Sequence, residues 1–183
     1  MNHIIKTHKT GSARRVRVLV YCLLPVLVLL IVGMVVKQSG YGISYQFSQS
    51  MPEGLYVYHP IHAHLHHDET VLFVPPTWAE AYLLEHGWLH PSMYMMKQLM
   101  GVPGDRFCVR DHAVYINQHR IAPVLDNYAP GKPLPHLHYC QTLPKDQYVL
   151  MSTHIERSFD ARYFGPVARQ NIVDQAQPLV VFS

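Results

Sequence analysis

Two patterns of apolar residues divide the chain. Val18–Val36 is nineteen residues without a charge and is rich in leucine and valine. As a helix it would span roughly 28 Å, which is enough to cross the hydrocarbon core of a bilayer. From Lys37 onward the apolar residues come in short runs that are separated by turn-forming residues, which is the pattern of β-strands. The sequence is therefore predicted to hold one membrane-spanning helix followed by a β-rich domain.

Seven segments of the second part are predicted strands, and one is a predicted helix. The strands are Gly54–Tyr58, Thr70–Val74, Met93–Val102, Asp105–Val109, Ala113–Asn117, Gln147–Met151 and Leu179–Phe182. The predicted helix is Trp78–His86, because Gly87 follows it in the position of a C-terminal cap. Arg110–His112 and Asn117–His119 are predicted hairpin turns, and the proline-rich Tyr128–His138 is a predicted loop. These elements predict a mainly β fold with short helical insertions.

The charges are distributed unevenly along the 183 residues. Residues 1–37 hold six basic residues and no acidic one, whereas the remainder holds nine basic and twelve acidic residues. A basic surface for nucleic acid is excluded, because the positive charge does not continue into the folded part. By the positive-inside rule, residues 1–17 are an expected cytoplasmic N-terminus, residues 18–36 the anchor and residues 37–183 a periplasmic domain. The alternative is a cleaved signal peptide, against which stand the length of the apolar run and the lack of an A-x-A site after it.

The three cysteines agree with an exported domain. Cys22 lies in the predicted span, while Cys108 and Cys140 would both be in an oxidising compartment, where a disulfide is allowed. The sequence leaves two possibilities open for this pair: a disulfide bond, or two unpaired buried thiols.

Two short segments carry candidate chemistry. The first places hydroxyl groups at Ser48 and Ser50, followed by Pro52 and Gly54, which fix a turn at the start of a strand. A serine in such a turn can be held rigid and exposed. On composition alone, a serine before a proline is more often a turn residue than a nucleophile.

The second segment is a lone lysine inside an apolar strand. Met93, Met95, Lys97 and Leu99 would share one face of that strand, since side chains alternate between faces. An aliphatic lining lowers the pKa of an ammonium group, and a neutral lysine can take a proton from a serine hydroxyl. The plainer interpretation is a lysine whose head reaches water.

Three segments, in this order behind an apolar N-terminal run, resemble the signal peptidase I superfamily (peptidase family S26). Ser50-Met51-Pro52 resembles its nucleophile box, and Lys97–Asp105 resembles its lysine box, with Pro-Gly-Asp after an apolar run. Ser158–Pro166 resembles its C-terminal box. The resemblance extends to the TraF-type conjugal-transfer peptidases through Met51–Tyr56 and Ala81–His90. It implies a signal-peptidase-like β-domain behind a single transmembrane helix.

The resemblance also implies roles for individual residues. Ser50 would attack the scissile carbonyl, and Lys97 would act as the general base and pass the proton to the leaving amine. The Ser50 backbone N–H and the Ser48 hydroxyl would form the oxyanion hole. No cofactor and no metal are implied, since the lysine does the work that a metal or a histidine does in other peptidases.

Four further residues would have structural roles near this site. Asp160 and Arg162 would form an ion pair, and Asp105 would belong to the turn that ends the lysine strand. Ala161 stands where members of the family commonly carry a serine. The orientation of Lys97 is therefore left to another group, either Ser158 or a water molecule.

The His59–His67 run is a separate candidate for chemistry. His62, His64 and His66 alternate and could line one face of a strand, an arrangement that zinc can use. Runs of exposed histidines also occur without metal, and no histidine has a catalytic motif around it. We expect no metal site here.

The expected function is that of a bacterial inner-membrane serine endopeptidase that cleaves exported preproteins. The resemblance favours the maturation of a conjugative pilin precursor, with cyclisation of the product left open. Three alternatives remain: a general signal peptidase with many substrates, a non-catalytic subunit for pilus assembly, and a periplasmic metal-binding protein that uses the His59–His67 run. The expected partners are the preprotein and the membrane, with no nucleic acid.

Overall fold

The computed structural model describes residues 10–61 and 64–182. The protein divides into two compact units, one ending at Tyr41 and the other beginning at Gly42. The first unit holds helix α1 (Thr10–Gln38), which begins before the predicted span and contains Pro25. Within it, Leu19–Val36 has a mean hydropathy of 3.0 and is long and apolar enough to cross a membrane.

The second unit is mainly β, as predicted, and contains thirteen strands in its described residues. In sequence order they are β1 (Gly42–Gln46), β2 (Gly54–Pro60), β3 (Thr70–Phe73), β4 (Met95–Gly101), β5 (Arg106–Arg110), β6 (Ala113–Ile116), β7 (His119–Pro123), β8 (Asn127–Ala129), β9 (Lys132–Pro133), β10 (Tyr139–Thr142), β11 (Gln147–Met151), β12 (Val167–Ala168) and β13 (Ile172–Val181). The helices are α2 (Thr77–Glu85), α3 (Ala161–Phe164) and a 3-10 turn, Arg169–Asn171.

The largest sheet contains seven antiparallel strands in the order β1-β2-β13-β3-β4-β11-β12. Strand β13 therefore lies between β2 and β3 and pairs with both. Only its last part was predicted, because its first part carries Asp174, Gln175 and Gln177, which do not form the apolar pattern of a buried strand. Strand β1 was also missed, since its apolar residues Ile43 and Tyr45 are exposed and its less exposed positions are Gly42, Ser44 and Gln46.

A second sheet has the order β10-β5-β6-β7. Its hairpins turn at Asp111-His112 and Asn117-Gln118, where both central residues have positive φ, as type I′ turns require. Both predicted turns are therefore confirmed. Strand β10 was not predicted; Cys140 in β10 faces Cys108 in β5, and a disulfide joins them.

The predicted helix and the predicted loop differ from the structure in detail. Helix α2 begins one residue earlier than predicted, and Gly87 after it has a φ of 68° and bonds to the Leu84 carbonyl, as expected of a C-terminal cap. The proline-rich segment 128–138, predicted as a loop, instead contributes to a small hairpin of β8 and β9 that turns at Gly131.

The core of the second unit has two parts. The main cluster packs α2 and α3 with both sheets, and includes Val71, Phe73, Leu83, Leu99, Phe107, Val114, Val149, Leu150, Met151 and Phe164. A smaller cluster holds Met51, Tyr56, Leu72, Met96 and Ala176. Since Met51 follows Ser50 directly, the smaller cluster anchors the turn that carries this serine.

Candidate active site

Ser50 lies in the turn between β1 and β2, next to Ser48. The two hydroxyl oxygens are 3.0 Å apart, within hydrogen-bonding distance. The Gln46 side-chain amide donates to the Ser48 hydroxyl at 2.6 Å and to the Ser48 carbonyl at 3.0 Å. Because the Ser48 oxygen accepts from Gln46, its own proton is available for donation toward Ser50. Gln46 therefore fixes the orientation of the hydroxyl pair.

Ser152 holds the same turn from the other side. It is fully buried directly after β11, and its hydroxyl donates a hydrogen bond to the Ser50 carbonyl. The same hydroxyl accepts from the His154 backbone N–H at 3.1 Å, and the Ser152 N–H donates to an Asp160 carboxylate oxygen at 3.0 Å. Sequence reasoning missed Ser152, although a polar residue directly after the apolar run Tyr148–Met151 was an available signal.

Lys97 is buried in the middle of β4, opposite Val71 of β3. Its side chain is 3% exposed, and its neighbours on the same strand face, Met95 and Leu99, pack in the main core. Burial lowers the pKa of Lys97 to about 8, with the Asp160 carboxylate acting in the opposite direction and the Arg162 guanidinium adding to the decrease. A substantial fraction of this amine is therefore neutral near pH 8.

Asp160 and Arg162 form a fully buried ion pair beside Lys97. The guanidinium donates to the two carboxylate oxygens at 2.8 and 3.1 Å. Arg162 also donates to the Ser152 carbonyl at 2.6 Å and to the Glu156 carbonyl at 2.8 Å. Asp160 caps α3 by accepting from the Arg162 backbone N–H. The pair therefore fixes the loop of residues 152–160, which borders the candidate site.

Ser158 lies in this loop and is 2% exposed. Its hydroxyl oxygen has no hydrogen-bond partner among the described residues. An unpaired buried hydroxyl costs free energy unless a further group forms a hydrogen bond with it. Ala161 is fully buried in α3 and brings no hydroxyl to this region.

Asp105 lies apart from the other candidate residues, in the turn after β4. Its carboxylate accepts from the Val102 backbone N–H at 2.8 Å, from the Asn117 amide at 2.7 Å and from His67 Nε2 at 2.7 Å. Burial acts to raise the pKa of Asp105, but these three hydrogen bonds outweigh it and hold the pKa below its usual value. Asp105 therefore stabilises the turn, and it does not line the cavity described next.

Ser48, Ser50, Lys97 and Ser158 all line one cavity of about 480 Å³. Its other walls are largely apolar and come mainly from β1, β4, the end of α2 and the segment after it, residues 125–134, the loop of residues 152–160 and α3. They include Leu83, Trp88, Leu89, Met93, Met95, Leu125, Tyr128, Phe159 and Tyr163. Sequence reasoning did not predict the aromatic walls, because Trp88, Tyr128 and Phe159 come from three separate segments. The cavity joins a serine hydroxyl and a desolvated amine to a surface that suits apolar side chains.

The histidine run shows no metal centre in its described part. His62 lies outside the described residues, while His64 and His66 are exposed. Across residues 10–61 and 64–182, no group of three His, Cys, Asp or Glu side chains is arranged to hold a metal ion. His67 instead pairs with Asp105, a contact that the sequence did not indicate.

Comparison with known proteins assigns the family. Residues 15–181 match the family described as signal peptidase, peptidase S26, so the chain belongs to this family of serine peptidases. Two Escherichia coli proteins, both called plasmid transfer protein TraF, are 29% identical to it. One match spans 147 residues, 74% of this chain and 81% of the relative, and the other spans 167 residues, 83% and 91%. With the apolar helix α1, family membership indicates a membrane-anchored protein.

Two more distant similarities are to proteins called signal peptidases. Signal peptidase I V of Bacillus subtilis (strain 168) is 27% identical over 89 residues, which are 43% of this chain and 53% of the relative. A crystal structure of a signal peptidase I from Enterococcus faecalis V583 is 19% identical, with a TM-score of 0.36. The match covers 66% of this chain and 98% of that protein.

Proposed function

We propose that this protein is a serine endopeptidase that cleaves exported preproteins, with Ser50 as nucleophile and Lys97 as general base. One observation carries the proposal: a hydroxyl in a fixed turn and a lysine with 3% exposure line the same cavity in a member of the signal peptidase family. A lysine can act as a base only when its pKa is lowered toward neutrality, and burial supplies that change here.

The reaction would proceed through an acyl-enzyme. Ser50 Oγ attacks the scissile carbonyl carbon while its proton passes to Lys97 Nζ. This attack forms a tetrahedral intermediate. The intermediate collapses as Lys97 gives the proton to the leaving amine, and the acyl group remains on Ser50. Water then attacks the ester with Lys97 again as the base, and the free acid and the serine hydroxyl are regenerated.

Ser48 and the Ser50 backbone N–H would stabilise the oxyanion of the intermediate. The Gln46 amide already occupies an acceptor position on the Ser48 oxygen, so the Ser48 proton is free for the developing charge. A donor that is oriented before the reaction need not be reorganised during it, which is the source of oxyanion-hole catalysis. In the free protein the Ser48 and Ser50 hydroxyl oxygens are 3.0 Å apart.

The substrate that we favour is a conjugative pilin precursor. Support comes from the two similar Escherichia coli proteins whose names place them in plasmid transfer. If an amine of the same polypeptide replaced water in the second step, the product would be a ring, because the acyl group would form a new peptide bond. A general signal peptidase and a non-catalytic pilus subunit are the alternatives that an experiment must separate.

We also propose a single-pass topology in the bacterial inner membrane. The basic residues before Leu19–Val36 favour a cytoplasmic N-terminus, which would place the unit from Gly42 onward in the periplasm. The disulfide between Cys108 and Cys140 supports this side, since such bonds persist in oxidising compartments.

The test is co-expression with a conjugative pilin precursor and mass spectrometry of the products. The wild type is compared with Ser50→Ala, Lys97→Ala and the control Lys132→Ala, which removes an exposed lysine in β9. We expect cleavage by the wild type and the control, and none by the two site variants at equal membrane levels. A product one water lighter than the linear fragment would show cyclisation.

Other outcomes would lead to different conclusions. Processing by both site variants at the wild-type rate would refute the dyad and favour another nucleophile. Cleavage of many unrelated preproteins in a cell depleted of its housekeeping enzyme would favour the general peptidase. Absence of cleavage across such a panel, with pilus assembly still dependent on the protein, would favour the non-catalytic subunit.

A further inference from the structure

The cavity that holds Ser50 and Lys97 has an unbalanced charge. Lys97, Arg157 and His90 are its basic wall residues, and none of the described residues that line it is acidic. Asp160 is the carboxylate that acts electrostatically on Lys97. It already forms a buried ion pair with Arg162, and it does not line the cavity. An anionic group that entered would therefore meet positive charge without a competing carboxylate on the walls.

Arg157 supplies the permanent part of this charge. Its side chain lines the cavity, is exposed, and forms no ion pair within the described part of the protein. A guanidinium stays protonated at any physiological pH and matches a carboxylate with two parallel hydrogen bonds. Arg157 therefore has both the charge and the donors that a carboxylate needs.

The backbone on both sides of Arg157 is fixed. The Glu156 carbonyl accepts from Arg162 at 2.8 Å, and Ser158 is buried. Glu156 precedes Arg157 in sequence but does not line the cavity. Its carboxylate therefore does not neutralise Arg157 inside the cavity. A charge on a fixed loop loses less conformational freedom on binding than one on a mobile loop, which makes it an effective specificity group.

We propose that Arg157 is a specificity-determining residue that binds a carboxylate of the polypeptide in the cavity. The carboxylate comes from an Asp or Glu side chain or from the C-terminus of that polypeptide. This inference rests on the proposed function only in that a polypeptide occupies the cavity, and it does not require that the polypeptide is cleaved.

The test measures binding of peptides to the full-length protein in detergent micelles, with Ser50→Ala to prevent turnover. The probes are fluorescein-labelled decapeptides of alanine and glycine with amidated C-termini, in which one interior position at a time is Glu, Gln or Lys. A further peptide has neutral side chains and a free C-terminal carboxylate, so that the two sources of the carboxylate are distinguished. Fluorescence anisotropy gives each affinity, with empty micelles as the blank.

We expect Glu at one or more positions, or the free C-terminus, to bind about tenfold more tightly than the neutral match, as a partly exposed charge-assisted hydrogen bond allows. Arg157→Gln should abolish that ratio, Arg157→Lys should keep part of it, and Arg157→Glu should invert it in favour of Lys. The control Arg110→Gln removes an exposed arginine outside the cavity and should change nothing.

Two results would overturn the proposal. The first is equal affinity for the acidic, neutral and basic peptides, whether that affinity is strong or weak. The second is tighter binding of the acidic peptides that persists in Arg157→Gln. The same peptides given to the protein with Ser50 intact separate this inference from the proposed function. Preference for the acidic peptide without cleavage would count against the peptidase, whereas cleavage without charge preference would count against Arg157 alone.

Discussion

Replacing Lys97 by methionine removes a buried charge and leaves an apolar side chain of similar length. Lys97 is 3% exposed, and burial is the main reason that its pKa falls from 10.5 to about 8. Methionine fits an apolar surrounding and has no charge to desolvate. We therefore expect Lys97→Met to be more stable than the wild type at neutral pH, although it would lack the amine that the proposed mechanism needs.

The magnitude follows from the change in pKa. At 1.36 kcal/mol for each pH unit, a decrease from 10.5 to about 8 corresponds to about 3 kcal/mol of lost stability while the lysine is charged in both states. Between these two pKa values the unfolded state binds more protons than the folded state, so wild-type stability rises with pH. The advantage of Lys97→Met should therefore be complete below pH 8 and should shrink by about 2 kcal/mol between pH 7 and pH 9.5.

The assay is urea unfolding of the detergent-solubilised full-length protein, followed by tryptophan fluorescence at several pH values. Lys132→Met, which replaces an exposed lysine, should track the wild type at every pH. A stability difference between Lys97→Met and wild type that stays constant from pH 7 to pH 9.5 would refute the desolvation of Lys97. A Lys97→Met protein that is less stable than the wild type at pH 7 would refute it as well.

Three other expectations concern activity and the buried ion pair. If Lys97 is the base, kcat/KM should rise about tenfold per pH unit below pH 8 and level off above it; a limb near pH 10 would contradict this. Ser48→Ala should lower kcat by about a hundredfold with little change in KM, and a rise in KM alone would contradict its oxyanion role. Asp160→Asn should destabilise the fold by about 3 kcal/mol in urea unfolding, because Arg162 stays buried. The exposed pair of Asp111 offers the control Asp111→Asn, and equal effects of both substitutions would contradict this reasoning.

The elements that were predicted from the sequence are those whose own residues show an apolar run or turn-forming residues. Strands such as β3 and β11 are apolar after their first residue, and the hairpin at Asp111-His112 has residues that tolerate positive φ. Strands β1 and β10 depend instead on their partners, because an exposed or polar strand is stabilised by the ladder that it joins. Stabilisation by a partner strand cannot be detected in the pattern of residues within a single segment.

The candidate site divides in the same way. Ser50 and Lys97 were candidates because a turn with hydroxyls and a lysine in an apolar strand are visible locally, and the resemblance of these segments to the family's boxes supplied their expected roles. Ser152 and Arg157 were not, because their roles arise only when the loop after β11 meets the turn after β1. Contacts between segments about a hundred residues apart in sequence require the fold before they can be assigned.

The position of β13 has a consequence for when the site can form. Ser50 belongs to the β1–β2 hairpin, Lys97 belongs to β4, and in the sheet these parts are joined through Ile172–Val181. A nascent polypeptide therefore carries both side chains long before the strand that brings them together has been synthesised. Because pairings between segments that are distant in sequence form slowly, we expect the site of Ser50 and Lys97 to be completed only after β13 has been synthesised. A polypeptide interrupted before β13 would lack the strand that joins the hairpin of the serine to the strands that carry the lysine.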